Sequence, residues 1–147
     1  MTPPARSLQE RRKDTLHRLE HDIDAWVATA DPDGTPYLVP LSFLWDGETL
    51  LISTAAANPT ARNLRAGGRV RLTAGPTRDV VLIEGTAELL DGVGDEVGDA
   101  FAEKTGFDPR KGRNYLYFRI RPLQIQAWRE ANELAGRDLM LDGVWQA

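Results

Sequence analysis

Residues 50–72 read LLISTAAANPTARNLRAGGRVRL, and the fold depends on what this stretch forms. Leu50, Leu51 and Ile52 make the apolar run of a buried strand, and Ser53 and Thr54 place two hydroxyls at its end. Asn58-Pro59 then opens a short helix, since Asn is a preferred N-cap and the fixed φ of Pro suits the first helical position. Gly67-Gly68 leads into RVRL, a further strand. The N–H groups at such a helix start lack intrahelical partners and favour an anion, and Thr60 and Arg62 fall in that first turn. Two readings stand at this point. Hydroxyls, free amides and a guanidinium converge on a phosphate, or Asn58 caps its own helix and Arg62 and Arg65 are solvated.

Upstream, Asp46-Gly47 is a turn, and PYLVPLSFLW before it is a long strand. Tyr37, Val39, Leu41, Phe43 and Trp45 share one face and Leu38, Pro40, Ser42 and Leu44 the other, so both faces are expected to be covered. Pro40 marks an edge or a bulge, where backbone groups are free to meet a ligand. DPDG turns this strand back onto WVATA. Further towards the N-terminus, Ser7-Leu8-Gln9-Glu10 has the form of a capping box, and Leu16, Leu19 and Ile23 continue at helical spacing. A helix from about Leu8 to His21 is expected, preceded by a loose tail at residues 1–6. His17 and His21 lie four apart on it, but with no Cys and no third His they read as surface, and no metal site is expected.

Downstream, Arg69 and Arg71 alternate with Val70 and Leu72, the pattern of a solvated strand face. RDVVLIEGTAELL is a long strand with Gly85 at a bulge or bend. Val97, Ala100 and Phe101 space a helix over Asp95 to Lys104, and TGFDPRKGRN is a polar loop carrying Arg110, Lys111 and Arg113. YLYFRIRP reads as a strand that buries Tyr115, Tyr117 and Phe118, followed by a second strand-like piece, IQAW. The sum is six or seven antiparallel strands with two longer helices and one short one. A mainly β barrel with peripheral helices, one domain over residues 1–147, accommodates them.

Composition narrows the function. A formal net charge of −4 and a pI near 5.2 give no basic footprint for nucleic acid and no attraction to anionic membranes. No segment reads as a membrane span or a signal peptide, so a cytoplasmic location is expected. Neither a Ser-His-Asp arrangement nor a convincing carboxylate pair emerges, and such a chain most plausibly borrows its reactivity from a bound cofactor.

In their order, VATADPDGTPYLVPLSF, the 50–72 segment, RDVVLIEGTAELL and RPLQIQAWREANELAGRDLM resemble the pyridoxamine phosphate oxidase-like flavin-binding split barrels, a superfamily that includes deazaflavin-dependent reductases. The likeness runs from about Trp26 to Trp145. It implies a homodimer of split β-barrels that binds FMN, or alternatively the deazaflavin coenzyme F(420), between subunits and passes hydride to or from a small organic molecule. It also implies roles for particular residues. Val39, Pro40, Leu41 and Ser42 would run beside the ring and ribityl chain, and Ser53 and Thr54 would stand near ribityl and phosphate. Thr60, Arg62 and Asn63 would belong to the phosphate helix, while Trp128 and Arg137 would reach the cofactor from the C-terminal segment, Trp128 across the dimer. Trp128 reads equally well as a core or dimer plug.

The chain also departs from the pattern. True pyridoxamine phosphate oxidases carry basic residues where this chain has Val39, Leu44, Pro59 and Thr60, which thins the phosphate clamp. Their C-terminal arginine and histidine have no match around Glu133 to Gly136, so vitamin B6 oxidation is not expected. A non-enzymatic module that stores or senses a flavin or haem is the alternative reading.

Overall fold

The computed structural model describes residues 1–147. Its first helix, α1 (Leu8–His21), starts at the expected capping box, with Ser7 Oγ accepting from the Glu10 N–H and the Glu10 carboxylate accepting from the Ser7 N–H. Leu19 anchors it in the core. Ile23 lies beyond the helix end and is exposed, because the chain has already turned into a strand.

Six strands follow, β1 (Asp24–Ala30), β2 (Pro36–Trp45), β3 (Leu50–Ala55), β4 (Arg69–Ala74), β5 (Val80–Leu89) and β6 (Tyr115–Trp128), with α2 (Pro59–Gly67) after β3 and α3 (Asp95–Thr105) after β5. β1 pairs with β2 and β4, β4 with β5, β5 with β6, and β6 closes on β3 through Leu50–Ile120 to Ala55–Tyr115. All pairings are antiparallel, and the closure makes a barrel. Short strands β7 (Asp138–Leu141) and β8 (Val144–Trp145) extend the sheet from β6. The chain is a mainly β split barrel with peripheral helices, as expected. The small terminal pair brings the strands to eight.

Sequence pattern divides β6 at Pro122, but the structure runs it unbroken for 14 residues. The reason lies opposite, where the register shifts between Glu84 and Gly85 and a bulge absorbs the donor that proline lacks. A Cβ on Gly85 would stand 2.5 Å from the Arg121 carbonyl oxygen, so this close approach requires glycine.

Val27, Phe43, Leu50, Ile52, Leu72, Ile83, Phe118, Ile120 and Ile125 belong to the main core, sealed by Leu19 of α1 and Leu64 of α2. At roughly 1.5–3 kcal/mol for each large side chain buried, this cluster is the main driving force for the fold. Outside the barrel, Leu51 and Tyr117 pack under Phe101 of α3. β3 is thus covered on both faces, which explains its unbroken apolar run.

β2 is not. Only Phe43 of this strand is buried, and Leu38 and Trp26, its diagonal neighbour on β1, are 59 % and 51 % exposed on the outer face, which no helix of this chain covers. Tyr115, expected inside, is exposed at the start of β6, where it meets Phe107, and Ala100 lies on the exposed side of α3. At the N-terminus the exposed residues end at Arg6, whose N–H and guanidinium bind the Glu133 carboxylate. No helix is long and apolar enough to cross a membrane.

Candidate functional site

β2 and β3 pair only through Phe43–Ile52, Leu44–Leu51 and Trp45–Leu50. Beyond that, Ser53 to Ala55 stay with β6, while residues 36–42 stay with β1, and the barrel splits between them. Pro40 sits opposite Trp26 on this open edge, where a missing N–H leaves no ladder bond unmade.

A cleft of about 360 Å³ follows the split. Asp24, Pro40, Leu41 and Ser42 form one lip, Ser53, Thr54, Ala55 and Asn58 the other, and Phe101, Phe107 and Tyr115 close one side. Phe107 and Tyr115 brace each other edge to face at 5.1 Å.

The β3 lip holds its polar groups open. The Asn58 side chain does not cap α2; its Nδ2 donates to Thr54 Oγ1 at 3.0 Å instead. The N–H groups of Thr60 and Ala61 therefore find no acceptor in the chain. Ser53 Oγ, on a residue 8 % exposed, and Thr60 Oγ1, on one 1 % exposed, are also without partners. An unmade bond at a buried hydroxyl costs about 1–3 kcal/mol, so Ser53 at the cleft wall favours an incoming polar group.

The β2 lip differs. Ser42 Oγ donates to Asp24 Oδ1 at 2.6 Å. No lysine, arginine or histidine lines the cleft. Lys104 is drawn to the back of the split, where its Nζ donates to the Phe43 carbonyl at 3.1 Å and sits 4.6 Å over the Phe43 ring. Burial there lowers the pKa of this amine, against a smaller opposite pull from Asp22. Arg110, a cation of the 105–114 loop, is held by Asp108 and Asp99.

Pro40, Leu41, Ser42, Ser53 and Thr54 are thus brought together from the expected set, and the other six lie elsewhere. Val39 faces the barrel side opposite Val27, and Thr60 is buried beneath the first turn of α2. Arg62 is exposed on that helix and pairs with no carboxylate. Asn63 is buried, and its Nδ2 donates to Thr29 Oγ1 at 3.0 Å, fastening α2 to β1. Trp128 ends β6 opposite Val80. It is thirteen residues from Tyr115, roughly 40 Å along the strand. Arg137 lies 6.0 Å from its ring and donates to the Leu134 carbonyl. Within one chain neither reaches the cleft.

Sequence reasoning missed Asp24, Phe101, Phe107 and Tyr115 as lining residues. Asp24 had a usable signal, because the DPDG turn fixes the hairpin register that sets it opposite Ser42. The aromatic wall had none, since α3 and its loop meet the cleft only through tertiary packing.

A family model described as pyridoxamine 5'-phosphate oxidase matches residues 16–129. Among solved structures, one named F(420) reductase is 24 % identical with a TM-score of 0.61, covering 74 % of this chain and 93 % of that one. A FAD-binding protein from Mesorhizobium loti is 23 % identical with a TM-score of 0.63 over 78 % of this chain and 89 % of its own. HutZ, described as a haem storage protein from Vibrio cholerae, is 15 % identical with a TM-score of 0.63 over 76 % and 89 %. These likenesses establish the fold. The curated proteins contain no match.

Proposed function

We propose that this chain, which belongs to the pyridoxamine 5'-phosphate oxidase family, is a flavin- or deazaflavin-dependent oxidoreductase whose cofactor lies in the split between β2 and β3. One observation carries this reading, the unpartnered Ser53 Oγ at the cleft wall, with the unbonded Thr60 and Ala61 N–H groups at the start of α2 beyond the lip. Such an arrangement suits a phosphorylated polyol, and the helix dipole adds to it. FMN and F(420) both have that chemistry, and their ring supplies hydride transfer when bound.

The chain's own residues bind, orient and exclude water. Ser53 and Thr54 hold the polyol, the α2 start with Arg62 faces the phosphate, and the β2 edge at Pro40 to Ser42 lies along the ring. Phe101, Phe107 and Tyr115 keep water from one side. Trp26 and Leu38 beside the cleft are the faces we assign to a second copy, which would cover them and bring its Trp128 and Arg137 to the site. A homodimer follows. No side chain of the cleft is assigned acid or base chemistry.

One observation favours a second reading, a non-enzymatic module that stores or senses such a ligand: no cationic side chain lines the cleft. Titration of cofactor-free protein with FMN and with F(420), followed by fluorescence at moderate and low salt, tests the site, and binding of neither overturns the proposal. Anaerobic reduction of the bound cofactor followed by candidate acceptors then separates the two readings. Multiple turnover is expected of an oxidoreductase, and a storage module gives at most one.

A further inference from the structure

The two lips of the cleft have opposite hydrogen-bonding character. On the β3 side stands the open Ser53 hydroxyl, with the unbonded N–H groups of the α2 start beyond it. On the β2 side the Ser42 proton is committed to Asp24 at 2.6 Å, so Ser42 Oγ offers only lone pairs to the cleft, and Asp24 Oδ2 makes no bond in the chain. Pro40 contributes no N–H to this lip either. An acceptor edge with a formal negative charge therefore faces a donor edge.

We propose that Ser42 Oγ, oriented by Asp24, selects the ring held in the cleft by accepting its imide N–H, and that the Asp24 carboxylate disfavours haem. The proposal rests on the cofactor reading above and goes beyond it by naming a specificity determinant. A flavin or deazaflavin ring carries one imide N–H between two carbonyls, a donor that an acceptor edge satisfies. Haem has only carboxylates at its polar edge, and these meet Asp24 as like charges with no donor between them. Ser42 is the contacting residue. Asp24 is a positioning residue, since it fixes which way the Ser42 hydroxyl points. Without Asp24 the hydroxyl rotates and offers a proton or a lone pair equally.

The test compares FMN with 3-methyl-FMN, whose imide N–H is replaced by N–CH₃, in wild type, Ser42→Ala, Asp24→Ala and Asp24→Glu. Wild type is expected to bind FMN about tenfold more tightly, the scale of one hydrogen bond that loses its donor in a partly buried site. This ratio should fall to within about twofold in Ser42→Ala and Asp24→Ala and recover in Asp24→Glu, which a merely structural role would not produce. In parallel, haemin should bind Asp24→Asn several-fold more tightly than wild type. Equal binding of the two flavins by wild type, or a ratio unchanged in both alanine variants, overturns the inference while leaving the cofactor site intact. Failure of FMN and F(420) to bind wild type overturns the site itself. Unfolding midpoints taken alongside confirm that each variant compared is folded. Either alanine variant suffices if the other is not.

Discussion

Glu133, 2 % exposed where α1 meets the C-terminal segment, receives the Arg6 N–H, two bonds from the Arg6 guanidinium and the Arg129 N–H. Ser53, 8 % exposed at the split, has a hydroxyl that receives and gives nothing. Around Glu133 the charged groups are paired, although Thr15 Oγ1 beside them has no partner. Arg11 donates to the carbonyls of Ala127, Glu133 and Gly136, and Asp79 pairs with Arg18 and Arg129. The first region closes the fold by pairing its own charges, and the second leaves a hydroxyl open on a cleft wall. Buried charge with partners marks architecture, and an orphaned hydroxyl on a cleft wall marks a place for something else.

The largest effect that would break this contrast is expected at Glu133. Glu133→Ala leaves Arg6 with only its Asp14 and Asp79 contacts and the Arg129 N–H unmet, and should lower unfolding free energy by at most about 3–5 kcal/mol, read by denaturant titration. FMN affinity of the protein that remains folded should be unchanged. A loss below about 1 kcal/mol would show that the network is ornamental.

The pH dependence comes next in size. The Arg6 hydrogen bonds hold the Glu133 carboxyl at about 2, below its ordinary 4.5, so the folded state binds fewer protons than the unfolded one between these values. Stability from this group is therefore complete above about pH 4.5 and disappears as pH falls towards 2, with an upper bound near 3 kcal/mol. Glu133→Gln should flatten that acid limb in a series of unfolding curves. An equally steep limb in the variant would assign it to other carboxylates.

At the cleft the signs reverse. Ser53→Ala removes an orphaned hydroxyl, so stability should hold or rise by up to about 1 kcal/mol while FMN affinity falls roughly tenfold. A variant that loses stability and keeps its affinity would make Ser53 a structural residue after all. Arg62→Ala is expected to have the smallest effect, with stability within about 0.5 kcal/mol and FMN affinity lowered several-fold, because its guanidinium is exposed and partnerless. Riboflavin, which lacks the phosphate, should bind the variant and wild type alike. Unchanged FMN affinity would remove Arg62 from the site.

Features with local causes were legible in the sequence. The Ser7–Glu10 capping box, the DPDG hairpin, the Gly85 bulge and the helix opened by Asn58-Pro59 each depend on residues a few positions apart or on one residue's backbone demands. Part of the cleft lining, Pro40 to Ser42 and Ser53 to Thr54, was named from the family resemblance. These residues lie on adjoining strands joined by one turn, which is why the fold brings the two groups together. Asn58 shows the limit. Its type announces a cap, yet its amide bonds Thr54, an outcome decided by where β3 ends relative to α2.

The sequence by itself determined the elements, their antiparallel order and the edge that Pro40 creates, because propensity, turn chemistry and period-two patterning act over short spans. Only the tertiary structure decided that β3 leaves β2 after Ile52 to run with β6, some sixty-five residues away in the chain. That choice opens the cleft, orphans the Ser53 hydroxyl, brings Phe107 and Tyr115 to its wall and sets Trp128 at the far end of the barrel. Each depends on which distant surfaces bury together, and side-chain burial is a property of the closed barrel that no local stretch encodes.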